Sequence, residues 1–319
     1  MFIKQVFKGE HNFWRYLLGS LIVIIASTIG QFPLLIAMVW KVMQEGGSGL
    51  DSINEESMYT MFDPNLFLFL ILISFAVAFV GLFFVVKYLH KQTMTSIATS
   101  RPKLDWKRIW FTFIFWGALS SGLVLLDYFY LSPENYEFNF EMKRFAILLV
   151  IAVVLIPIQT SLEEYVFRGY LMQGFGALAK NKWFPLLMTS VIFGGLHIAN
   201  PEVGKLGYSI MIFYIGTGLF WGIMTLMDEG IELALGFHAA NNLFTALLVT
   251  TDWTALQTHS ILKDVSQPEI GAIDLIVPVF IMYPVLLFIL SKKYKWTNWK
   301  DKLFGTIEEP PKEDYKIIE

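Results

Sequence analysis

Long apolar runs without a charge constrain this 319-residue chain more than any other feature. Leu17 to Trp40, Asn65 to Val86 and Leu206 to Met227 contain no Asp, Glu, Lys or Arg. Each has the ~20 residues a helix needs to cross ~30 Å of hydrocarbon. Ile109 to Leu126, Phe145 to Leu162 and Leu275 to Leu290 are shorter and equally free of charge. Trp183 to Ala199 is interrupted only by His197, and Leu233 to Thr251 only by His238, Asn241 and Asn242. The expectation is an all-α polytopic membrane protein of about eight spans. Composition agrees, because 16% of the residues are charged against about 25% in soluble domains.

The placement of charge says more than its net value of −3, which gives no reason to expect nucleic acid as a partner. Lys4, Lys8 and Arg15 precede the first run, and Lys87, Lys91, Arg101, Lys103, Lys107 and Arg108 crowd the second connection. Lys292, Lys293, Lys295, Lys300 and Lys302 follow the last run. The alternate connections are acid-rich, with Glu45, Asp51, Glu55, Glu56 and Asp63 in one and Glu134, Glu137 and Glu141 in another. The positive-inside rule then predicts both termini in the cytoplasm of a cell-membrane protein, as an even number of spans requires. The first run is longer than an h-region and no small-residue cleavage site follows, so it reads as a retained span. There is no cysteine, which excludes a thiol nucleophile, a thiolate metal site and a disulfide. The reading is one membrane domain over residues 1–291 and a cytoplasmic tail over 292–319. Gly46 to Pro64, with room for a short helix, and residues 132–144 form outer loops. The tail begins basic, with Trp296 and Trp299 at the interface, and its mixed-charge end is expected to be disordered. No internal repeat is visible, and Gly218 and Gly222 make a small-residue face suited to helix packing.

A charge at bilayer depth costs at least ~2.5–3.5 kcal/mol on insertion scales, so such residues point to function. Ser161-Leu162-Glu163-Glu164-Tyr165-Val166-Phe167-Arg168 continues an apolar run and is followed by apolar sequence through Leu178. Adjacent carboxylates on a helix point ~100° apart and so meet different surroundings. Glu164 and Arg168 share a face at i,i+4 and can pair. Glu163 has Phe167 at that spacing and is left free, which suits a general base. The bland alternative is a structural Glu–Arg pair with a spare glutamate near the membrane edge. Phe193-Gly194-Gly195-Leu196-His197 places a histidine late in the fifth run, with two glycines that admit a close helix. His238 and Asn242 lie one turn apart on one face. His11, His90 and His259 lie outside the runs or at their ends and read as solvated.

Glu163-Glu164-x3-Arg168, Phe193-x3-His197 and His238-x3-Asn242 together resemble the three signatures of the CPBP family, the type II CAAX prenyl endopeptidases and bacteriocin-processing or bacteriocin-immunity proteins. Their order, internal spacing and placement on successive apolar runs all match, over about residues 140–255. The resemblance implies an intramembrane endopeptidase of eight helices whose site opens toward the cytoplasm and whose substrate is a membrane-associated peptide or protein. By that likeness Glu163 and His197 activate the attacking water, His238 and Asn242 stabilise the oxyanion, and Glu164 with Arg168 braces the first carboxylate.

Whether a metal takes part stays open at this level. Two histidines and a carboxylate could form a three-ligand zinc set with a second Glu as base. No His-Glu-x-x-His helix is present, and zinc would compete with Arg168 for Glu164, which favours a metal-free reaction. Two other functions are compatible with membrane carboxylates: a proton-coupled transporter using Glu163 and His197 as relays, and a non-catalytic membrane partner in signalling or immunity. The missing repeat weighs against the first of these.

Overall fold

The computed structural model describes residues 1–44, 58 and 61–311. The centre of each of the eight apolar runs is helical. In chain order the long helices are α1 (Phe13–Gln44), α2 (Pro64–Leu89), α3 (Trp106–Leu131), α4 (Met142–Ala179), α5 (Trp183–Gly195), α6 (Tyr208–Asp228), α7 (Glu232–Leu248) and α8 (Ala272–Tyr294). Among the described residues, six rather than eight are long and apolar enough to cross a membrane. The two that fall short are α5, with 13 residues, and α7, with 17. His197 lies in the turn just after the first of these, and His238 lies within the second. The physical reason for α7 is burial: Leu233, Ala234, Phe237 and Ala240 are inside the protein, so α7 is an internal helix walled by α3 and α4 and need not match the bilayer. The protein is thus all-α and polytopic, with one small sheet and two isolated β-bridges, Thr99 to Gly230 and Asn181 to Thr306, among the described residues. In that sheet Tyr136–Phe138 pairs antiparallel with Leu262–Asp264, which pairs parallel with Val249–Thr250.

Local chemistry sets the helix ends. The Asp63 carboxylate accepts the Asn65 N–H at 2.9 Å with Pro64 in the first helical position, and the Asp105 carboxylate accepts that of Lys107 at 3.0 Å. Both are the N-cap arrangement that satisfies an orphan donor. α4 runs 38 residues and continues past Arg168 to Ala179, as the apolar sequence through Leu178 requires. It passes through a π-helical turn at Tyr165–Leu171. Lys180, in the left-handed region at φ 55°, then reverses the chain into α5.

Packing pairs α1 with α2, α2 with α4, α4 and α3 with α7, and α5 with α6. Gly218 and Gly222 of α6 do form a packing face. A Cβ on Gly218 would lie 2.9 Å from Ser190 Cα, and one on Gly222 would strike Leu186. Of the two glycines before His197 only Gly194 serves close approach, since a Cβ there would lie 2.9 Å from the Ile215 nitrogen; Gly195 faces open space.

The connections gather at two ends. At the basic end Arg101 reaches Asp228 at 2.9 Å and Glu232 at 3.2 Å, and Arg108 Nε donates to Asp228 at 2.8 Å. There too Trp299–Phe304 packs as α9, with Lys182 pairing with Asp301 at 3.0 Å and Ile307 buried. At the other end Asn65 reaches the Arg144 carbonyl and His259 lies 3.0 Å from Asp63. The outer-loop residues 46–57, 59 and 60 and the tail end over 312–319 fall outside the described residues.

His90 corrects the sequence expectation, because it is fully buried rather than solvated. Its Nδ1–H donates to the Glu10 carbonyl at 2.7 Å, and the Tyr170 hydroxyl donates to its Nε2 at 2.9 Å. The residues that cover it come from distant segments, with Tyr16 packed at 4.4 Å between ring centres. His11 and His259 are half-buried, each within 4 Å of a carboxylate: His11 at 3.8 Å from Glu309, His259 at 3.0 Å from Asp63. Burial pushes the His90 imidazole down from 6.5 to about 4. An unfolded chain therefore takes up a proton here between those values while the folded one does not, and stability is lost as pH falls from about 6.5 toward 4. Thermal unfolding in detergent should show that loss between about pH 7 and 4.5, and His90→Gln should flatten it. The same slope in the variant would assign the loss elsewhere.

Candidate active site

Glu164 and Arg168 are both fully buried. Arg168 Nη1 donates to Glu164 Oε1 at 3.1 Å, the i,i+4 pair expected from spacing, and its Nη2 reaches the Gly218 carbonyl at 3.4 Å. The guanidinium lies 4.2 Å from the ring centre of Phe193 and 5.1 Å from that of Trp221, where ring faces attract a cation. His238 Nδ1–H donates to the same Glu164 Oε1 at 2.8 Å, and its ring stacks on Trp221 at 4.1 Å. A carboxylate can only accept, so the proton on Nδ1 follows from the partner. Glu164 Oε2 and Arg168 Nε are buried with no partner among the described residues.

Glu163 turns to the other side of this pair and keeps some exposure, 15% for its side chain. His238 Nε2 faces its Oε2 at 3.7 Å, beyond direct hydrogen-bond range and within reach of one bridging water. It is not as free as its spacing to Phe167 suggests. Gln159, one turn earlier, donates to Glu163 Oε1, and its own Oε1 accepts from Asn242 Nδ2 at 3.2 Å. Asn242 Oδ1 accepts from Asn241, whose Oδ1 accepts from Trp116. Gln159 is thus the site residue that sequence reasoning missed. Its signal was an amide inside an apolar run at i,i+4 to Glu163.

His197 stands apart. It lies in the turn just past the end of α5 rather than within a span. Its Nδ1–H donates to the Phe193 carbonyl at 2.8 Å and its ring stacks on Tyr214 at 4.4 Å. Glu202 accepts the Tyr214 hydroxyl proton at 2.6 Å and the Ala255 N–H at 3.1 Å, which holds Tyr214 in place. Among the described residues no hydrogen bond or ion pair joins His197 to Glu163 or His238. Phe193 separates them, with its ring centre 4.8 Å from that of His197 and 6.3 Å from that of His238.

The family model described as type II CAAX prenyl endopeptidase Rce1-like matches residues 143–244, the segment that holds every side chain of this network from Gln159 to Asn242. The chain is also 34% identical over 250 residues to the uncharacterized protein YyaK of Bacillus subtilis (strain 168), covering 78% of this chain and 82% of that one. No solved structure matches. The chain belongs to the Rce1-like family of type II CAAX endopeptidases. It is accordingly a membrane protease of that family.

For this Rce1-like protein the zinc set of two histidines and a carboxylate is not assembled. His197 is held away, both nitrogens of His238 face glutamates, and no three His, Asp or Glu groups among the described residues are disposed to hold a metal ion. The site's charged partners are unequal. Removing one member of a buried ion pair costs ~3–5 kcal/mol, so Glu164→Gln, which strands Arg168 and His238, should lower the midpoint of thermal unfolding markedly. Glu163→Gln should leave it near wild type. A less stable Glu163→Gln variant, with Glu164→Gln unaffected, would reverse the assignment.

Proposed function

We propose that the protein is an intramembrane endopeptidase that hydrolyses a peptide bond of a membrane-associated substrate, with Glu163 as general base. The observation that carries this reading is the convergence, from two helices, of two hydrogen-bonded groups, Glu164 with His238 and Glu163 with Gln159 and Asn242, which face each other across 3.7 Å between His238 Nε2 and the partly exposed Glu163 carboxylate. A water held between Glu163 and His238 loses its proton to Glu163 as its oxygen attacks the scissile carbonyl. The carbonyl oxygen gains the negative charge and accepts N–H donors, Asn242 through the amide proton that Gln159 does not use, and His238 through Nε2. For that donation the ring carries a proton on each nitrogen, and each nitrogen faces a glutamate. The proton on Glu163 then passes to the departing amine as the C–N bond breaks, and the carboxylate is regenerated.

His197 is assigned to water activation with Glu163, as the family resemblance implies. Its Nδ1 is committed to the Phe193 carbonyl and its ring is held by the Tyr214 stack, so Nε2 is the nitrogen available. Catalytic hydrogen bonds are often long without substrate and tighten in the complex. Lysine and arginine density supports a cytoplasmic placement of both termini and of the basic end of the bundle. His238 lies six residues after Glu232, ~9 Å from that end at 1.5 Å per residue, which supports entry of substrate from the cytoplasmic side.

Two experiments test the reading. Removal of an oxyanion donor costs 10²–10³ in rate, and groups acting together are far from additive. In detergent, Glu163→Gln should abolish hydrolysis of a membrane-proximal peptide, His238→Ala and Asn242→Ala should each slow it about 10²–10³-fold, and either added to Glu163→Gln should cost little more. Wild-type rates in Glu163→Gln would return these residues to helix contacts. For orientation, reporter fusions after Lys300 and within the Gly46 to Pro64 loop should report opposite sides, and a common side would overturn the topology.

A further inference from the structure

The C-terminal end of α8 holds a groove of about 690 Å³ that no residue of the proteolytic site lines. Its floor is apolar, formed by Pro284, Leu287 and Phe288, and its rim carries Lys292, Lys295 and the Thr297 hydroxyl. Trp296 and Trp299 close one side, 6.0 Å apart edge to face. That wall is fixed: Trp296 Nε1 donates to Asp228 at 3.1 Å and its backbone N–H to the Ser291 carbonyl at 3.0 Å. Lys295 makes this turn possible by adopting the left-handed region, φ 54°, an unfavourable conformation for a residue with a Cβ.

The two rim lysines differ from their neighbours. Lys293 turns away to lie 4.0 Å over the Phe111 ring, while Lys182 and Lys302 pair with Asp301 and Glu229. Lys292 lies 5.2 Å over Phe288, on the groove side, and among the described residues neither Lys292 nor Lys295 forms an ion pair. The floor residue Phe288 and its neighbour Val285 are exposed on α8, a helix long and apolar enough to cross a membrane, so the floor continues onto the apolar outer face of that helix.

We propose that this groove binds one anionic phospholipid, with its phosphodiester between Lys292 and Lys295 and an acyl chain along Pro284, Leu287 and Phe288. A free phosphate would leave the apolar floor unused. A zwitterionic headgroup would bring a second cation against two ammonium groups. Lysines beside tryptophans at the end of a span are the composition that meets anionic headgroups at an interface.

Native mass spectrometry of the full chain released from nanodiscs of equal phosphatidylglycerol and phosphatidylcholine reads the site directly. The wild type should retain one phosphatidylglycerol, and the double variant Lys292→Gln/Lys295→Gln should retain on the order of tenfold less. Lys293→Gln should behave as wild type. Thermal unfolding of each variant in the same detergent shows that the loss is not misfolding, and if the double variant unfolds early, Thr297→Val with Lys292→Gln replaces it. Equal retention of the two lipids by the wild type, undiminished phosphatidylglycerol in the lysine variants, or its displacement by inorganic phosphate would each overturn the proposal.

Discussion

The buried Glu164–Arg168 pair is the contact on which the rest of the core depends. Moving either charge out of water alone is prohibitive, and a pair survives burial only where geometry and further hydrogen bonds offset desolvation. Arg168 meets that condition with a carboxylate on its own helix, a carbonyl of α6 and two aromatic faces. Glu164 meets it by accepting from His238 as well. One ion pair therefore ties α4, α6 and α7 together at a single depth. The close approach of Gly218 to α5 extends the tie to the helix that ends before His197.

Neighbouring glutamates take opposite parts because the helix turns between them. Glu164 faces inward, with cation and imidazole both on its Oε1, whereas Glu163 faces the amide of Gln159 and retains access to solvent. The π-helical turn begins at Tyr165, directly after this pair. Such turns insert a residue into an α-helix and recur at functional sites. Here the turn carries Arg168 while the i,i+4 contact to Glu164 is kept, so the wider turn redirects the later part of α4 and leaves the pair intact.

What could be read from the sequence was local, and what could not was long-range. The i,i+4 spacing gave the Glu164–Arg168 pair outright. It also contained Gln159 and Glu163 at the same spacing, passed over because one amide in an apolar run carries little hydropathy signal. The third partner of Glu164 lies 74 residues away, beyond any helical period. Hydropathy located all eight runs but could not tell an internal helix from a spanning one, because burial in protein and burial in lipid select the same side chains. The Trp183 to Ala199 run looked unbroken, yet the helix stops at Gly195, so His197 sits in a turn ahead of the Asn200-Pro201 step. His90 looked solvated because the residues that bury it come from the chain's start and from α4.

The height of His238 in the membrane is set from the basic end. Arg101 pairs with Asp228, the last residue of α6, and with Glu232, the first of α7, while the Ile231 N–H donates to the Ala98 carbonyl at 2.8 Å. These contacts clamp the turn between the two helices, and Trp296 adds a donor to Asp228 from the segment after α8. Six residues of helix then carry that position to His238 with little freedom, since a helix interior has no soft joint without a proline or glycine kink, and Gly236, the one glycine on the way, is pressed against Ile109 and Thr112 of α3. Charge at the membrane surface thus fixes the depth of a polar group inside it, and the two polar layers of the protein act as one frame.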